Sequence, residues 1–459
     1  MFLIITIIII ILFTLTHISH SAVNRHNTTV VSDNHHVLKL PLHHINPLQS
    51  PSDAISSDTA RLSVLLATLH RLPNLPLTSG AYAGAGQYFV TLHLGTPPQP
   101  LLLIADTGSD LIWVTCSACR NDCAATRPPH SSFLVRHSDS YSLHHCFDRA
   151  CKLVPQPRPN RGACKPTRLH SPCRYEYSYA DGSITSGFFA KETTSFNSST
   201  GKLLQHDSLA FGCGFKISGP SVSGPSFNGA QGIMGLGRGP ISFVTQLGHR
   251  FGNKFSYCLK DYTIAPPPTS YLMIGNVATA GKSKMLYTPL KTNPISSTFY
   301  YIGIKDVYVD NVKLPISPSV WDIDELGNGG TIVDSGTTLT FIPESAYRHV
   351  LAAFRRRVKL PAPAGSPANF DLCYNVSGIS RRLSLPRLRF KLVGNSAFSP
   401  PVGNYFIDTS EDVKCLALQP VASTGGFSVI GNLMQQGFLF EFDIERSQLG
   451  FSRTGCSKS

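Results

Sequence analysis

The stretch Leu101–Val114 reads LLLIADTGSDLIWV. Its first five residues are apolar, as in a buried strand, and they lead into Asp106. A carboxylate at the end of a buried strand is costly to ionise unless hydrogen-bond donors surround it. Gly108 allows backbone N–H groups to come close, and Thr107 and Ser109 supply hydroxyls. The stretch therefore predicts a buried carboxylate that is held by donors at a sharp turn.

A single Asp-Thr-Gly is equally compatible with an ordinary turn at the end of a strand. The stretch Thr331–Ile342 (TIVDSGTTLTFI) repeats the pattern, with Asp334 lying 228 residues after the first aspartate. Ser335, Gly336 and Thr337 again supply the hydroxyls and the glycine. Two carboxylates brought close together cannot both ionise, so identical residue types become one acid and one base. The repeat favours such a pair, delivered by two similar halves of the chain.

Other motifs accompany the pair in a fixed order. They are Tyr88-Phe89-Val90, Gly95-Thr96-Pro97-Pro98-Gln99, Tyr177-Ser178-Tyr179-Ala180-Asp181-Gly182-Ser183, Gly232-Ile233-Met234-Gly235-Leu236-Gly237 and Val429-Ile430-Gly431-Asn432. With them, the chain resembles the pepsin-type aspartic proteases over roughly Ala81 to Cys456, in particular the cysteine-rich plant branch typified by nepenthesin. The resemblance implies an all-β, bilobal fold, in which two β-barrel-like lobes related by a pseudo-twofold axis flank an active-site cleft.

The resemblance also implies a mechanism. Asp106 and Asp334 hold one water, which attacks a peptide carbonyl while one aspartate accepts a proton and the other donates one. Six residues support the pair: Thr107, Gly108, Ser109, Ser335, Gly336 and Thr337. In the family, the hydroxyls in third position bind the outer carboxylate oxygens, and those in first position brace the two loops. No metal and no cofactor is implied, and activity is expected at acidic pH.

The stretch Tyr175–Phe189 has the pattern of a hairpin. By resemblance it is the flap, with Tyr179 as its tyrosine and with Asp181 and Gly182 at the tip that faces the substrate. Trp113 lies where the family has a tryptophan that packs beneath the flap tyrosine and donates a hydrogen bond to it. A purely structural role for Trp113 in the core is compatible with the same position.

The chain has 12 cysteines, and an even number is typical of disulfides in an oxidising compartment. Seven of them lie in residues 116–173, which resemble the cysteine-rich insertion of the family. The pair Cys116 and Cys119 also has the spacing of zinc ligands, but the irregular spacing of the others favours disulfides. The resemblance implies a disulfide between Cys373 and Cys415. The other pairings cannot be deduced.

Residues 1–22 are expected to be a signal peptide, because an apolar run too short to span a bilayer precedes a small-residue site. A membrane anchor is the alternative, since no Lys or Arg precedes that run. By resemblance, residues 23–80 are a prosegment, residues 81–274 the N-terminal lobe and residues 275–459 the C-terminal lobe.

Sequons at Asn27, Asn197 and Asn375 permit glycosylation. Val350–Val358, opened by Pro343-Glu344-Ser345, is the clearest helical pattern in the main body.

The net charge is +13, but the basic residues are scattered and no nucleic-acid-binding motif is present. Nucleic-acid binding is therefore not expected, nor is a membrane contact after removal of the signal. The sequence predicts a secreted, monomeric aspartic endopeptidase that cleaves polypeptides in the apoplast, the cell wall or the vacuole. The alternative is a catalytically silent relative that inhibits secreted glycosidases. Two intact Asp-Ser/Thr-Gly copies favour the protease.

Overall fold

The protein is described by a computed structural model. The described residues are 38–43, 58, 87–118, 132–157, 163–165, 167–178, 183–197, 203–219, 222, 227, 229–261, 264, 268–276, 284–365, 369–379, 383–421 and 426–456. Their fold consists mostly of strands. Twenty strands join into one hydrogen-bonded network, and smaller sheets of four and three strands flank it.

The strands that precede residue 275 contain the first aspartate loop. They are β1 (Leu38–His43), β2 (Phe89–Leu94), β3 (Gln99–Asp106), β4 (Trp113–Ser117), β5 (Phe133–Leu134), β6 (Ser142–Leu143), β7 (Arg174–Ser178), β8 (Ile184–Asn197), β9 (Leu203–Ser218), β10 (Gly232–Gly235), β11 (Lys254–Cys258) and β12 (Ser270–Ile274). Helical segments cover Val135–His137, Arg149–Leu153 and Phe243–Phe251.

The remaining strands contain the second aspartate loop. They are β13 (Leu286–Lys291), β14 (Tyr301–Ile302), β15 (Ile304–Val309), β16 (Val312–Lys313), β17 (Thr331–Val333), β18 (Thr340–Pro343), β19 (Cys373–Asn375), β20 (Leu388–Leu392), β21 (Ala397–Phe398), β22 (Phe406–Ser410), β23 (Val413–Leu416), β24 (Leu418–Val421), β25 (Ser428–Ile430), β26 (Leu439–Asp443) and β27 (Gln448–Ser452). Helical segments cover Pro318–Trp321, Glu344–Arg357, Val402–Asn404, Asn432–Gln435 and Arg453–Cys456.

The same strand arrangement occurs in both halves. In the first half β3 pairs antiparallel with β2 and parallel with β10, while β10 also pairs antiparallel with β4. In the second half β17 pairs antiparallel with β14 and parallel with β25, while β25 also pairs antiparallel with β18. A further parallel partner completes each set, since β4 pairs with β9 and β18 with β24. This repeat supports the internal duplication and the bilobal fold.

A shared antiparallel sheet joins the two halves. Strand β11 of the first half pairs with β26 of the second, and β26 pairs with β27, which pairs with β13. On the other side β11 pairs with β12, and β12 pairs with β1. Strand β1 lies within the segment predicted to be the prosegment, and its Leu38, Leu40 and Leu42 are buried in the main core. This leader segment is therefore an integral strand of the described fold.

The helix Glu344–Arg357 begins at the predicted opening Pro343-Glu344-Ser345 and ends one residue before the end of the predicted stretch Val350–Val358. One face is buried through Tyr347, Val350 and Phe354, which have the spacing of an amphipathic helix. Three arginines occupy its last turn, where positive charge is favourable next to the unpaired carbonyls. None of the helices among the described residues is both long and apolar enough to span a bilayer.

Five disulfides lie among the described residues. They are Cys116–Cys213, Cys146–Cys164, Cys151–Cys173, Cys258–Cys456 and Cys373–Cys415. The last is the pair that the resemblance implied. Two others join residues 97 and 198 positions apart, so that they connect distant parts of the chain. Cys119 and Cys123 lie outside the described residues.

Candidate active site

The first aspartate lies at the end of β3, where the strand leaves the core. Asp106 is only 2% exposed, and two donors from its own turn hold its carboxylate. The Gly108 N–H donates to Oδ1 at 2.8 Å, and the Ser109 hydroxyl donates to Oδ2 at 2.6 Å. Hydrogen bonds to a charged group contribute about 1.5–3 kcal/mol each. The turn therefore offsets much of the cost of keeping this carboxylate buried and charged.

The second aspartate has the same surroundings. Asp334 follows β17 and is fully buried. The Gly336 N–H donates to its Oδ1 at 2.9 Å, and the Thr337 hydroxyl donates to its Oδ2 at 2.6 Å. The two turns thus present their carboxylates with equivalent donors at nearly equal distances. The roles that the resemblance implied for Ser109 and Thr337 match these contacts.

The two turns are also joined to each other. The Ser335 N–H donates to Thr107 Oγ1 at 2.9 Å, and the Thr107 N–H donates to Ser335 Oγ at 3.2 Å. Each hydroxyl then donates to a backbone carbonyl of the opposite half, Thr107 to Val333 at 3.3 Å and Ser335 to Ala105 at 2.9 Å. All four groups are buried. This reciprocal set places the two carboxylate-bearing turns side by side at the junction of the halves.

A glycine lies directly behind each turn. Gly235 is paired with Asp106 in the parallel register of β10 and β3, and a Cβ there would lie 2.4 Å from the carbonyl carbon of Asp110. Gly431 follows β25 in the second half, and a Cβ there would lie 2.0 Å from the carbonyl oxygen of Leu339. Real side chains do not approach backbone so closely. The apolar-apolar-Gly segments of the sequence therefore serve to let a second strand lie against each aspartate turn.

Buried polar side chains beneath the second turn were not predicted from the sequence. The Gln435 amide donates to the carbonyl of Asp334 at 3.2 Å and to that of Ile430 at 2.8 Å, and the Tyr257 hydroxyl donates to Gln435 Oε1 at 2.5 Å. Burial, with the nearby charge of Asp334 as a second cause, raises the pKa of Tyr257 well above its ordinary value. Tyr257 therefore remains a neutral donor that fixes the orientation of the glutamine.

Asp110, four residues after the first aspartate, is a second carboxylate that the sequence analysis missed. The Gly239 N–H donates to its Oδ1 at 2.8 Å, and the Thr298 hydroxyl of the second half donates to its Oδ2 at 2.7 Å. Burial raises the pKa of Asp110, and the charge of Asp106 acts in the same direction, although the two hydrogen bonds oppose both. This carboxylate links the first turn to the other half of the molecule.

The flap is described only in part. Strands β7 and β8 form the predicted hairpin, with Tyr177 opposite Thr185, but Tyr179, Asp181 and Gly182 lie outside the described residues. Trp113 is buried and its ring lies parallel to that of Phe227, with centroids 5.6 Å apart. Its ring N–H finds no acceptor among the described residues. The predicted contact between Trp113 and the flap tyrosine stays a prediction.

One leader residue reaches the second turn. Asp58 is 2% exposed, and its carboxylate accepts from the backbone N–H of Thr338 at 2.8 Å and from that of Leu339. These amides follow directly after the Asp334 turn. The segment predicted to be removed on activation therefore contacts the candidate site through a carboxylate as well as entering the shared sheet through β1.

The cysteines of the insertion do not support the zinc alternative. Cys116, the first residue of the Cys-x2-Cys pair, is bonded to Cys213. Within the described part of the chain, the sulfurs of Cys146, Cys151 and Cys164 lie close enough together to suggest a metal site. They belong to disulfides, however, and a metal requires free thiolates as ligands. The disulfide interpretation of these cysteines is confirmed.

The three sequons differ in how much the structure describes. Asn375 ends β19 and is partly exposed, and its side-chain oxygen accepts from the Ser377 N–H at 2.8 Å. Asn197 ends β8, and Asn27 lies outside the described residues. Asn375 is thus the sequon whose surroundings can be seen, and it lies at the surface.

The fold and the paired turns define a pepsin-like protein in which both aspartates are present. Comparison with known proteins agrees. A family model described as "Xylanase inhibitor N-terminal" matches residues 88–276, and one described as "Xylanase inhibitor C-terminal" matches residues 299–453. Aspartyl protease family protein 2 of Arabidopsis thaliana is 34% identical over 442 residues, which cover 92% of this chain and 85% of that protein.

Aspartic proteinase nepenthesin-1 of Nepenthes gracilis is 35% identical over 407 residues, which cover 88% of this chain and 86% of that protein. Among solved structures, the crystal structure of edgp superposes with a TM-score of 0.68 at 21% identity, covering 92% of this chain and 96% of that one. The chain belongs to the plant pepsin-like aspartic proteases, in the nepenthesin-like branch. The family and the all-β bilobal fold that the motifs predicted are thereby confirmed.

Proposed function

We propose that the protein is an aspartic-type endopeptidase that hydrolyses polypeptides in an acidic compartment. The observation that carries this proposal is the equivalence of the two turns. Asp106 and Asp334 each accept one backbone N–H and one hydroxyl, and Thr107 and Ser335 hold the turns together. A protein that only bound other proteins would have no need for two buried carboxylates with matched donors.

In the proposed reaction the two carboxylates share one proton and hold a water between them. The ionised carboxylate removes a proton from the water as it attacks the peptide carbonyl, and the protonated carboxylate donates to the carbonyl oxygen. A tetrahedral diol results, and its collapse releases the two peptide products. The hydroxyls of Ser109 and Thr337 keep the outer oxygens occupied, so the inner oxygens face the water. The proton belongs to the pair rather than to either aspartate.

We further propose that the enzyme is made as an exported precursor. Strand β1 and the contact of Asp58 with the Thr338 and Leu339 amides support an inhibitory leader, because both tie the segment to the main body. The five disulfides support passage through an oxidising compartment, where such bonds persist. Apoplast, cell wall and vacuole all fit this proposal.

A second candidate function is inhibition of secreted glycosidases. The descriptions of the two matching family models favour it, since both name a xylanase inhibitor. The intact pair of aspartates weighs against it, because binding a glycosidase requires neither carboxylate. The two candidates differ in whether the protein itself turns over a polypeptide.

The deciding experiment is cleavage of denatured globin by leader-free protein from about pH 3 to 7, with and without pepstatin. Cleavage that is greatest at acidic pH, blocked by pepstatin and lost in Asp106→Asn establishes the endopeptidase. A folded protein that cleaves nothing across this range but slows a fungal xylanase establishes the inhibitor. Circular dichroism of the variant shows whether loss of activity reflects loss of the fold.

A further inference from the structure

The cysteine-rich insertion contains a compact unit that the proposed catalysis does not use. We call its described part, residues 141–157, 163–165 and 167–173, the stapled knob. Two antiparallel segments form it: the Cys146 N–H donates to the Ser171 carbonyl at 2.9 Å and the Phe147 N–H to the Leu169 carbonyl at 3.0 Å. The disulfides Cys146–Cys164 and Cys151–Cys173 close it. A unit stapled in this way presents its surface side chains in a fixed arrangement.

The stapled knob is rigidly attached to the flap strands. Strand β6 pairs with β8, the His144 N–H donates to the Phe189 carbonyl at 3.0 Å, and the His144 ring stacks on the Phe189 ring with centroids 5.0 Å apart. Its last residue, Cys173, leads directly into β7. Five residues of β7, at about 3.3 Å each, run from the knob toward the tip of the hairpin. The knob and the far end of β7 are therefore separated by about 16 Å of strand, a span that an extended peptide of about five residues can cover.

Four exposed cations lie on the knob: Arg149, Lys152, Lys165 and Arg168. Within the described residues, none of the four has a carboxylate partner. The acidic residue nearest in sequence, Asp148, is instead held by its own neighbours, since it accepts from the His145 N–H at 2.9 Å and contacts the His144 ring nitrogen at 3.0 Å. Burial opposes ionisation of Asp148, but these contacts prevail and lower its pKa. The described knob therefore carries four exposed cations against one carboxylate, which is engaged by the neighbouring histidines, and its net charge is positive.

Apolar surface lies among these cations. Phe147 is 51% exposed and Leu169 is 46% exposed, and the two residues are neighbours because the Phe147 N–H donates to the Leu169 carbonyl. The Phe147 ring lies parallel to the His145 ring with centroids 5.6 Å apart, and the His170 ring contacts it edge-on at 5.3 Å. Both histidine rings therefore pack against the phenyl ring. The exposed patch thus combines a fixed apolar platform with unpaired positive charge.

We propose that the stapled knob is an exosite that binds acidic segments of substrate polypeptides carrying interspersed apolar side chains. This proposal rests on the proposed function and names the substrates that the enzyme would favour. Carboxylates of the segment would face the four cations, and its apolar side chains would pack on Phe147 and Leu169. A uniform polyanion offers no apolar partner for this platform. A bilayer would need side chains that project into it, whereas the Phe147 ring packs against the rings of His145 and His170.

The binding test uses the protein with Asp106→Asn, so that no turnover occurs, and a fluorescein-labelled peptide of alternating Glu and Leu. Fluorescence anisotropy should report binding that weakens as salt rises, because the contacts are exposed and screened. The knob variant Arg149→Gln, Lys152→Gln, Lys165→Gln and Arg168→Gln should bind at least about fourfold more weakly, since four exposed ion pairs are lost. Phe147→Ser alone should also weaken binding.

A matched control removes the same charge elsewhere. Lys305, Arg356, Lys359 and Arg453 are exposed and lie in the second half of the chain. Replacing these four by Gln should leave the affinity for the peptide within about twofold. Equal losses in the control and the knob variant would overturn the proposal, because the effect would then follow net charge alone. Unchanged binding by Phe147→Ser would overturn it too, as would tighter binding to polygalacturonate or to phosphatidylserine vesicles than to the peptide.

A kinetic test separates this proposal from the proposed function. Active enzyme cleaves a short apolar peptide and the same peptide extended by an acidic, Leu-containing segment. The extension should raise kcat/KM several-fold, mainly through KM, and the knob variant should lose this gain while cleaving the short peptide normally. Failure to cleave either peptide would reject the protease while leaving the binding test to decide on the exosite. Equal kcat/KM for both peptides with the unmodified enzyme would overturn the exosite.

Discussion

The two aspartate turns share their geometry but not their outer contacts. In both, a parallel strand with a glycine supports the turn, and one N–H and one hydroxyl hold the carboxylate. The fifth residue of the motif differs. Asp110 in the first turn binds Gly239 and Thr298, whereas the amide of its counterpart Thr338 donates to Asp58 of the leader. The hydrogen bonds to the two carboxylates are thus duplicated. The contacts of the fifth residue differ between the two turns.

This difference indicates what each part of the site requires. Acid–base exchange between two carboxylates requires equivalent surroundings close to the carboxylates, and there the halves agree. Further out, the first turn is fixed to the opposite half of the main body, while the second contacts a segment that we propose is removed. Changes to the inner contacts should therefore affect both halves alike, and changes to the outer contacts should not.

The largest expected effect comes from the aspartates themselves. Asp106→Asn and Asp334→Asn should each lower kcat by about 10²–10⁴-fold or more, because each variant removes a member of the proton-sharing pair. Steady-state cleavage of a fluorogenic peptide measures this loss. The two losses should be similar, and the double variant should be little worse than either one. A variant that kept most of its activity would show that the halves are not catalytically equivalent.

The next effect concerns the glycines behind the turns. Gly235→Ala and Gly431→Ala should each destabilise the fold by about 1–3 kcal/mol, because a Cβ at either position would overlap backbone atoms of the adjacent turn. Thermal unfolding measures the change. Gly403→Ala is the matched control, since a Cβ there would meet no atom within 4 Å. If Gly235 and Gly431 tolerated alanine as Gly403 does, the close approach would not matter for stability.

The hydrogen-bond donors of the two carboxylates could be predicted because they lie close to each aspartate in the sequence. Apolar residues, Asp, Ser or Thr, Gly, and a second hydroxyl lie within one turn, so the donors of Asp106 and Asp334 could be predicted from the motif. The hydrogen bond of the Gln435 amide to Asp334 and the link from Asp110 to Thr298 could not be predicted. Each joins residues that are far apart in the chain, by 101 and 188 positions respectively.

The disulfides divide in the same way. Cys373 and Cys415 were predicted from the family, and they face each other across the pair β19 and β23. Cys258 and Cys456 lie 198 positions apart, and spacing alone gives no reason to pair them. Helix Glu344–Arg357 was also predicted, because its opening at Pro343-Glu344-Ser345 and the apolar spacing of Val350 and Phe354 are local signals.

A smaller effect is expected from the brace between the turns. Thr107→Val and Ser335→Ala each remove a hydroxyl that binds backbone of the opposite half, so each should lower the free energy of unfolding by about 1–3 kcal/mol. Since the two hydroxyls act as one unit, the double variant should cost less than the sum by about 0.5–2 kcal/mol. Denaturant unfolding of the four proteins gives this coupling.

Thr288→Val combined with Ser335→Ala is the control cycle. Thr288 is a buried threonine of β13 whose hydroxyl donates to Val393 at 2.8 Å. Its effect should add to that of Ser335→Ala within about 0.3–0.5 kcal/mol. If the effects of Thr107→Val and Ser335→Ala also added, the two turns would be stabilised independently of each other.

The smallest effect is expected from the fifth residue of each motif, which is Asp110 in the first turn and Thr338 in the second. Burial raises the pKa of Asp110, so the folded protein keeps this proton at a pH where the unfolded chain has lost it. The stability that Asp110 contributes is then complete below its unfolded pKa of 3.8 and is lost as the pH rises through the folded value. Asp110→Asn is always neutral. Relative to the unmodified protein, its melting temperature should therefore rise with pH over this window and then level off.

Thr338→Ser serves as the comparison in the second turn, because it changes the equivalent position without adding or removing a titratable group. Its melting temperature should differ from that of the unmodified protein by the same amount at every pH. Since the charges of Asp106 and Asp110 act on each other, removing the Asp110 charge should also move the basic limb of the pH profile of kcat/KM to lower pH, because that charge no longer opposes loss of the proton that the pair shares. If neither the stability difference nor that limb depended on Asp110, the carboxylate would serve only as a hydrogen-bond acceptor for Gly239 and Thr298.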